Sequence, residues 1–153
     1  MRASKIPESV LVVIHAGPQQ VLLIRRADMG TWQSVTGSKD APDEPWAQTA
    51  AREVMEETGI DVHAPGVQLR DCGWEHTYPI HARYLHRYAP GITHNTEHVF
   101  ALALPHVLPV RLSPREHTAY QWLPWSEAAE MVFSATNARA IASLLGDADP
   151  HGA

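Results

Sequence analysis

Residues Gly37 to Ile60, GSKDAPDEPWAQTAAREVMEETGI, decide how the rest of the chain is read. The second half of the stretch predicts a helix. Pro45 suits a first helical position, where a missing N–H costs nothing, and Gly59 suits the residue just past the end. The interval is filled with Ala, Gln, Arg, Glu and Met, all good helix formers. Glu53, Glu56 and Glu57 stand at i, i+3 and i+4 and so share one face. They also fall in the last turns, where the helix dipole disfavours negative charge and like charges repel. A cation among the carboxylates relieves that repulsion. A ligand set made only of oxygen points to a hard divalent ion, Mg²⁺ or Mn²⁺, rather than zinc. The competing reading is a solvated acidic face, which is what most glutamate clusters are.

The longer register separates these readings. The stretch resembles the Nudix box, G-x5-E-x7-R-E-U-x-E-E-x-G-U with U aliphatic. Glu44, Arg52, Glu53, Val54, Glu56, Glu57, Gly59 and Ile60 all fall in place. In one departure, six residues rather than five separate Gly37 from Glu44. The additional residue lies in the loop from Lys39 to Asp43, where Pro and Asp make an insertion cheap. The resemblance implies an α/β fold, a Nudix-type α/β/α sandwich around a central mixed β-sheet. It also implies a Mg²⁺ site, with Mn²⁺ as a substitute. Glu53 and Glu57 would be the principal ligands, Glu56 would assist and the Gly37 carbonyl would join them. Arg52 would pair with Glu44 and orient the loop against the helix.

The 153 residues suit one domain, with an ordered core of about 5–146 and a tail at 147–153. Hydrophobic content of 44% and charged content of 19% are those of an ordinary globular protein. No run approaches the roughly eighteen apolar residues of a membrane span, and MRASKIPES lacks the apolar centre of a signal peptide. The single cysteine, Cys72, cannot form an internal disulfide, so a cytoplasmic setting is expected. The net charge of −5, with no Lys/Arg block, argues against duplex nucleic acid as a partner. The ten histidines are scattered, without zinc-ligand spacing. Oligomeric state is not legible.

Ser9–His15 predicts a central strand buried on both faces, and Val21–Arg25 a strand pairing back on it. Trp32–Thr36 predicts a short strand delivering the chain to Gly37. Val67–Cys72, His98–Leu104 and Ala119–Leu123 predict further strands. Between Gly73 and Glu97, Tyr78, Ile80 and Tyr84 alternate as in a strand, which reads either as a substrate-facing hairpin or as an irregular edge. Ser126 predicts the cap of a helix through Phe133, and Thr136 or Asn137 the cap of a last helix ending at Gly146. Strands on either side of one helix, with helices at the end, suggest a sheet sandwiched between helices.

Hydrolysis of a triphosphate needs neutralised phosphate oxygens, a water held in line and a stabilised leaving group; carboxylates holding Mg²⁺ supply all three. Outside the box, WQSVTGS, Asp71-Cys72, HRYAPGITHNTEH, FALALP and EHTAYQWL resemble one branch of that family, the bacterial dihydroneopterin triphosphate diphosphatases of folate synthesis. That resemblance runs from about Val10 to Ile141. It implies hydrolysis of 7,8-dihydroneopterin triphosphate to the monophosphate and pyrophosphate. It implies Glu116 as a further metal ligand or general base, beside Glu53, Glu56, Glu57 and Arg52 in the catalytic group. It also implies Lys5, Arg25 and Thr36 as substrate contacts, with Tyr78, Pro79, Ile80, His81 and Thr136 lining the pterin pocket. Arg25 and Arg26 otherwise read as edge charges. The alternatives are a house-cleaning hydrolase of (deoxy)nucleoside triphosphates such as dATP, or a Nudix-shaped binding module without hydrolysis.

Overall fold

The apolar run from Val10 to Ile14 sends its side chains into two separate cores. Strand geometry points successive residues to opposite faces, and both faces of β1 (Glu8–Ala16) are covered. Val10, Val12 and Ile14 pack in one cluster with Ala50 and Val54 of helix α1 (Trp46–Thr58), and with Phe100 and Leu102 of the strand beside β1. Leu11 and Val13 pack in the other, with Ala128 and Val132 near α2 (Trp125–Met131) and Ala140 and Ile141 of α3 (Ala135–Ile141). Two apolar layers on one sheet require helices on both sides, and this is the expected α/β/α sandwich. Burying each large side chain contributes about 1.5–3 kcal/mol, and Phe100, Leu11, Ile14, Leu23 and Leu102 are among those almost wholly buried, so the sheet is a rigid base for the loops at its ends.

The computed structural model describes residues 4–146. The remaining strands are β2 (Gln20–Arg26), β3 (Trp32–Gln33), β4 (Val35–Ser38), β5 (Gln68–Pro79), β6 (His94–Leu104) and β7 (His117–Pro124). A 3-10 segment, Ala82–Arg87, links β5 to β6, and a π-type turn, Ala142–Gly146, continues α3. The sheet is mixed: β1 runs parallel to β6 along its whole length, and every other pairing is antiparallel. On its other edge, β1 divides its pairing. Its first half takes β4, with Val10 opposite Gly37 and Leu11 opposite Thr36, and only His15 and Ala16 pair with β2. This division sets Thr36 and Gly37 between β1 and the carboxylate face of α1.

The strands fall near their apolar runs, with local differences: the expected strand Trp32–Thr36 divides into β3, paired with β2, and β4, paired with β1, and β6 begins at His94 rather than His98. Pro45 is the residue before α1, not its first member, with φ −63° and ψ 145°, and Gly59 closes the helix at φ 75°. β5 does not stop at Cys72. A bulge between Asp71 and Trp74, with Gly73 at φ 74°, lets the strand re-register and continue to Pro79. Tyr84 is therefore not in a strand with Tyr78; it lies in the 3-10 segment, and its apparent alternation is a coincidence of spacing. Helix α2 starts at Trp125, so Ser126 is inside it, and Phe133 is past its end. Ser134, not Thr136 or Asn137, caps α3, accepting the Asn137 N–H. The expected tail at 147–153 lies outside the described residues.

Candidate active site

Helix α1 buries Thr49, Ala50, Glu53, Val54, Glu57 and Thr58, a stripe at 3.6-residue spacing in which two members are carboxylates. Glu56 falls off the stripe and is exposed. Its Oε1 stands 3.6 Å from Arg52 Nη1. The Arg52 guanidinium is a clamp. Its Nε and Nη2 donate to Glu44 at 3.2 and 2.9 Å, Nη2 also donates to the Ser38 carbonyl at 3.0 Å, and Nη1 donates to Glu53 Oε2 at 2.7 Å. Glu44 accepts further bonds from the Asp40 N–H and the Thr49 hydroxyl. The Arg52 hydrogen bonds, with these, hold the Glu44 carboxyl down at about 2. The loop from Gly37 to Glu44, which carries the extra residue, is thereby bolted to the helix.

The opposite condition holds one turn further on. Glu57 is 4% exposed, and its Oε1 is a buried acceptor with no partner among the described residues. His117 Nε2 lies 3.8 Å from it, and His117 Nδ1 is also unpartnered. Burial, then the adjoining Glu53 and more weakly Glu116 and Glu56, push the Glu57 carboxyl well above its usual range. Burial also raises Glu53, against the pull of Arg52, and burial lowers His117. Gly37 has no room for a side chain: a methyl there would overlap the Glu53 carboxyl group.

Two cavities adjoin here. One, of about 520 Å³, is lined by Glu53, Glu57, Glu116, His117 and Arg115, with Thr36 and Gly37 as its floor. The other, of about 540 Å³, is lined by Tyr78, Pro79, Ile80, His81, Tyr84 and Tyr88, with Thr136 and Phe133 at the α3 side. Lys5, Arg26 and Arg87 border both. Desolvation first, then the neighbouring charges of Arg87 and Arg26, lower the pKa of Lys5. Three cations gathered beside buried carboxylates suit a polyanion lying across the boundary.

Every pocket residue expected from the sequence borders one of these cavities except Arg25. The structure puts Arg26 there instead. Arg25 is exposed and donates to the Gly30 carbonyl and the Thr118 hydroxyl, each at 3.3 Å. A register shift between the two arginines, where β2 meets β7, turns Arg26 inward, and Asp28 and Tyr84 hold it at 2.8 and 3.2 Å. Glu56 and Arg52 border neither cavity. Sequence reasoning passed over Arg87, Tyr88, Asn95 and Glu97. The unusual string from His86 to His98 was the available signal, without any hint of which members face inward.

The donor set fits a hard divalent cation: oxygen only, buried, and left with an orphaned acceptor in Glu57 Oε1. Among the described residues, no three acidic, His or Cys side chains stand close enough together to hold a metal ion by themselves. Arg52 holds one Glu53 oxygen, which leaves the other free to face the cavity.

The NUDIX domain model matches residues 5–144. The chain belongs to the Nudix family of hydrolases. Hydrolases of this family generally need a divalent metal such as Mg²⁺. This Nudix chain is 45% identical over 143 residues to a dihydroneopterin triphosphate diphosphatase of Escherichia coli K12, covering 92% of this chain and 93% of that one. It is 36% identical over 147 residues to the enzyme of that name from Haemophilus influenzae, covering 95% and 91%. The solved structure of the E. coli dihydroneopterin triphosphate pyrophosphohydrolase superposes with a TM-score of 0.88 at 42% identity, over 95% of this chain and 99% of that one. Among the described residues of this Nudix protein, no helix is long and apolar enough to cross a membrane.

Proposed function

We propose that this protein is a Mg²⁺-dependent, cytoplasmic pyrophosphohydrolase acting as a single domain. Its reaction is 7,8-dihydroneopterin triphosphate plus water giving dihydroneopterin monophosphate and pyrophosphate, a step of folate synthesis. The observation that carries the reading is the pair of adjoining cavities. The one with buried carboxylates suits the triphosphate end, and the one walled by tyrosines suits a flat heterocycle.

In this reading Glu53 and Glu57 hold the metal, aided by the Gly37 carbonyl and by Glu116 from its loop, while Glu56 lies outside the cavity beside Arg52. When bound, the cation neutralises phosphate oxygens and lowers the pKa of a coordinated water. Arg52 keeps Glu53 and the Gly37 loop in place. Lys5, Arg26 and Arg87 grip the phosphate chain, and Thr36 supplies a hydroxyl beneath it. Tyr78 to His81 and Thr136 frame the pterin ring. Glu116 is exposed at the cavity edge; if it does not hold the metal, it takes the proton of the attacking water instead.

Hydrolysis in ¹⁸O-labelled water tests substrate, bond and hydrolytic class together. The expected products are the pterin monophosphate and pyrophosphate, with one label in one of them. A product set of diphosphate and inorganic phosphate contradicts the reading. So does a kcat/KM on dATP above that on the pterin triphosphate. Turnover that persists in EDTA removes the metal from it.

A further inference from the structure

Two buried polar residues border the aromatic cavity and not the one lined by Glu53 and Glu57. Asn95 is 3% exposed and Glu97 is 5% exposed. Both border that cavity, and two residues apart on β6 they share a face of the sheet. Asn95 Nδ2 donates to Ser9 Oγ at 2.8 Å and to Tyr78 Oη at 3.0 Å, leaving Oδ1 buried and unpartnered. Turning the amide over changes which atom is left over, not that one is. The Glu97 carboxylate has one hydrogen-bond partner among the described residues, His76 Nε2, 2.9 Å from Oε1. Burial raises its pKa, as expected for an acid held in a poorly hydrated place. A cross-strand staple, His76 opposite Glu97, explains Oε1. It leaves the second oxygen, Oε2, without a hydrogen-bond partner among the described residues, with the leftover amide atom of Asn95 on the same face.

We infer that Glu97, with Asn95, is the specificity-determining pair that reads the substrate's ring through an edge carrying two adjacent N–H donors. Naming that ring a pterin rests on the proposed function above. A carboxylate is an acceptor only, with two oxygens that match a ring N–H beside an amino group. The 2-amino-4-oxo edge of a pterin has that pattern, and so does guanine. Adenine sets a ring-nitrogen acceptor beside its amino group, which brings two acceptors face to face with no proton between them. A site built to receive hydrogen bonds rejects a ring that cannot donate them far more strongly than a hydrophobic slot would.

Glu97→Gln keeps the size and exchanges one acceptor for a donor. The kcat/KM ratio for dihydroneopterin triphosphate over dATP is expected to fall by about 100-fold, and the ratio for dGTP over dATP to fall with it. A loss common to all three substrates, or no change, is the result of a mere strand staple and overturns the inference. The two nucleotides keep its failure separate from that of the proposed function. Poor turnover of the pterin triphosphate by the parent enzyme, with a dGTP/dATP ratio that E97Q still shifts, refutes only the substrate. Strong preference for the pterin triphosphate with both ratios unmoved refutes only the pair. Should E97Q not fold, the native enzyme answers through competitive inhibition by pterin and by lumazine, in which oxygen replaces the 2-amino group. Pterin is expected to inhibit at least about tenfold more tightly, and equal inhibition overturns the inference.

Discussion

The two ends of α1 each bury a glutamate, and they treat it in opposite ways. Glu44, just before the helix, is 7% exposed and Glu57, in the last turn, is 4% exposed. Glu44 is met by Arg52, Thr49 and the Asp40 N–H. Glu57 faces other carboxylates and keeps an oxygen with no partner. One end is a structural joint in which each charge is compensated. The other carries a local conflict that folding alone does not reward, and such a conflict marks the place where a ligand completes the structure.

The largest effect expected from that contrast is on turnover. Glu57→Gln should lower kcat by roughly three orders of magnitude or more, while its metal-free melting temperature equals or exceeds the parent's, since a like charge is removed. Steady-state kinetics and calorimetry on one preparation check both halves. The joint should fail in the other way. Arg52→Ala leaves Glu44 buried and unpaired and should cost about 3–5 kcal/mol of stability, read by denaturant melts.

Acid and base separate the two ends further. The folded pKa of Glu44 lies below its unfolded value of 4.5, so its contribution is complete above 4.5 and disappears as pH falls through about 2. The drop corresponds to about 3 kcal/mol at most. The folded pKa of Glu57 is raised, so its contribution in metal-free buffer is complete below 4.5 and is lost as pH rises through the elevated value. Denaturant melts across pH should therefore bend downward at both ends, with Glu57→Gln flattening only the alkaline side. The smallest effect distinguishes neighbours: Arg26→Ala should raise KM for the triphosphate by about tenfold, and Arg25→Ala by less than about twofold.

Those two arginines show where the sequence stopped being legible. The α1 carboxylates could be read because helical spacing and a long fixed register leave little freedom. The sheet core could be read because Val10 to Ile14 is apolar at both parities. Arg25 and Arg26 could not be ordered, because alternation fails at the register shift where β2 meets β7. The bulge at Gly73 had the same effect on β5, hiding that Tyr78 lies opposite Asn95 across the strand pair. The part of the wall formed by Asn95 and Glu97 depends on which side of β6 faces the cavity. A mostly buried strand, with residues of both parities inside, does not disclose that in its pattern.

Glu57 keeps a buried oxygen that the fold leaves unsatisfied, and in the proposed function a divalent cation takes it. Melting temperatures of the parent and of Glu57→Gln, titrated with Mg²⁺ near neutral pH, test it directly. The parent's melting temperature should rise with Mg²⁺ concentration and protons should be released, with little or no rise for the variant. An equal rise in both proteins, or none in the parent, would contradict it.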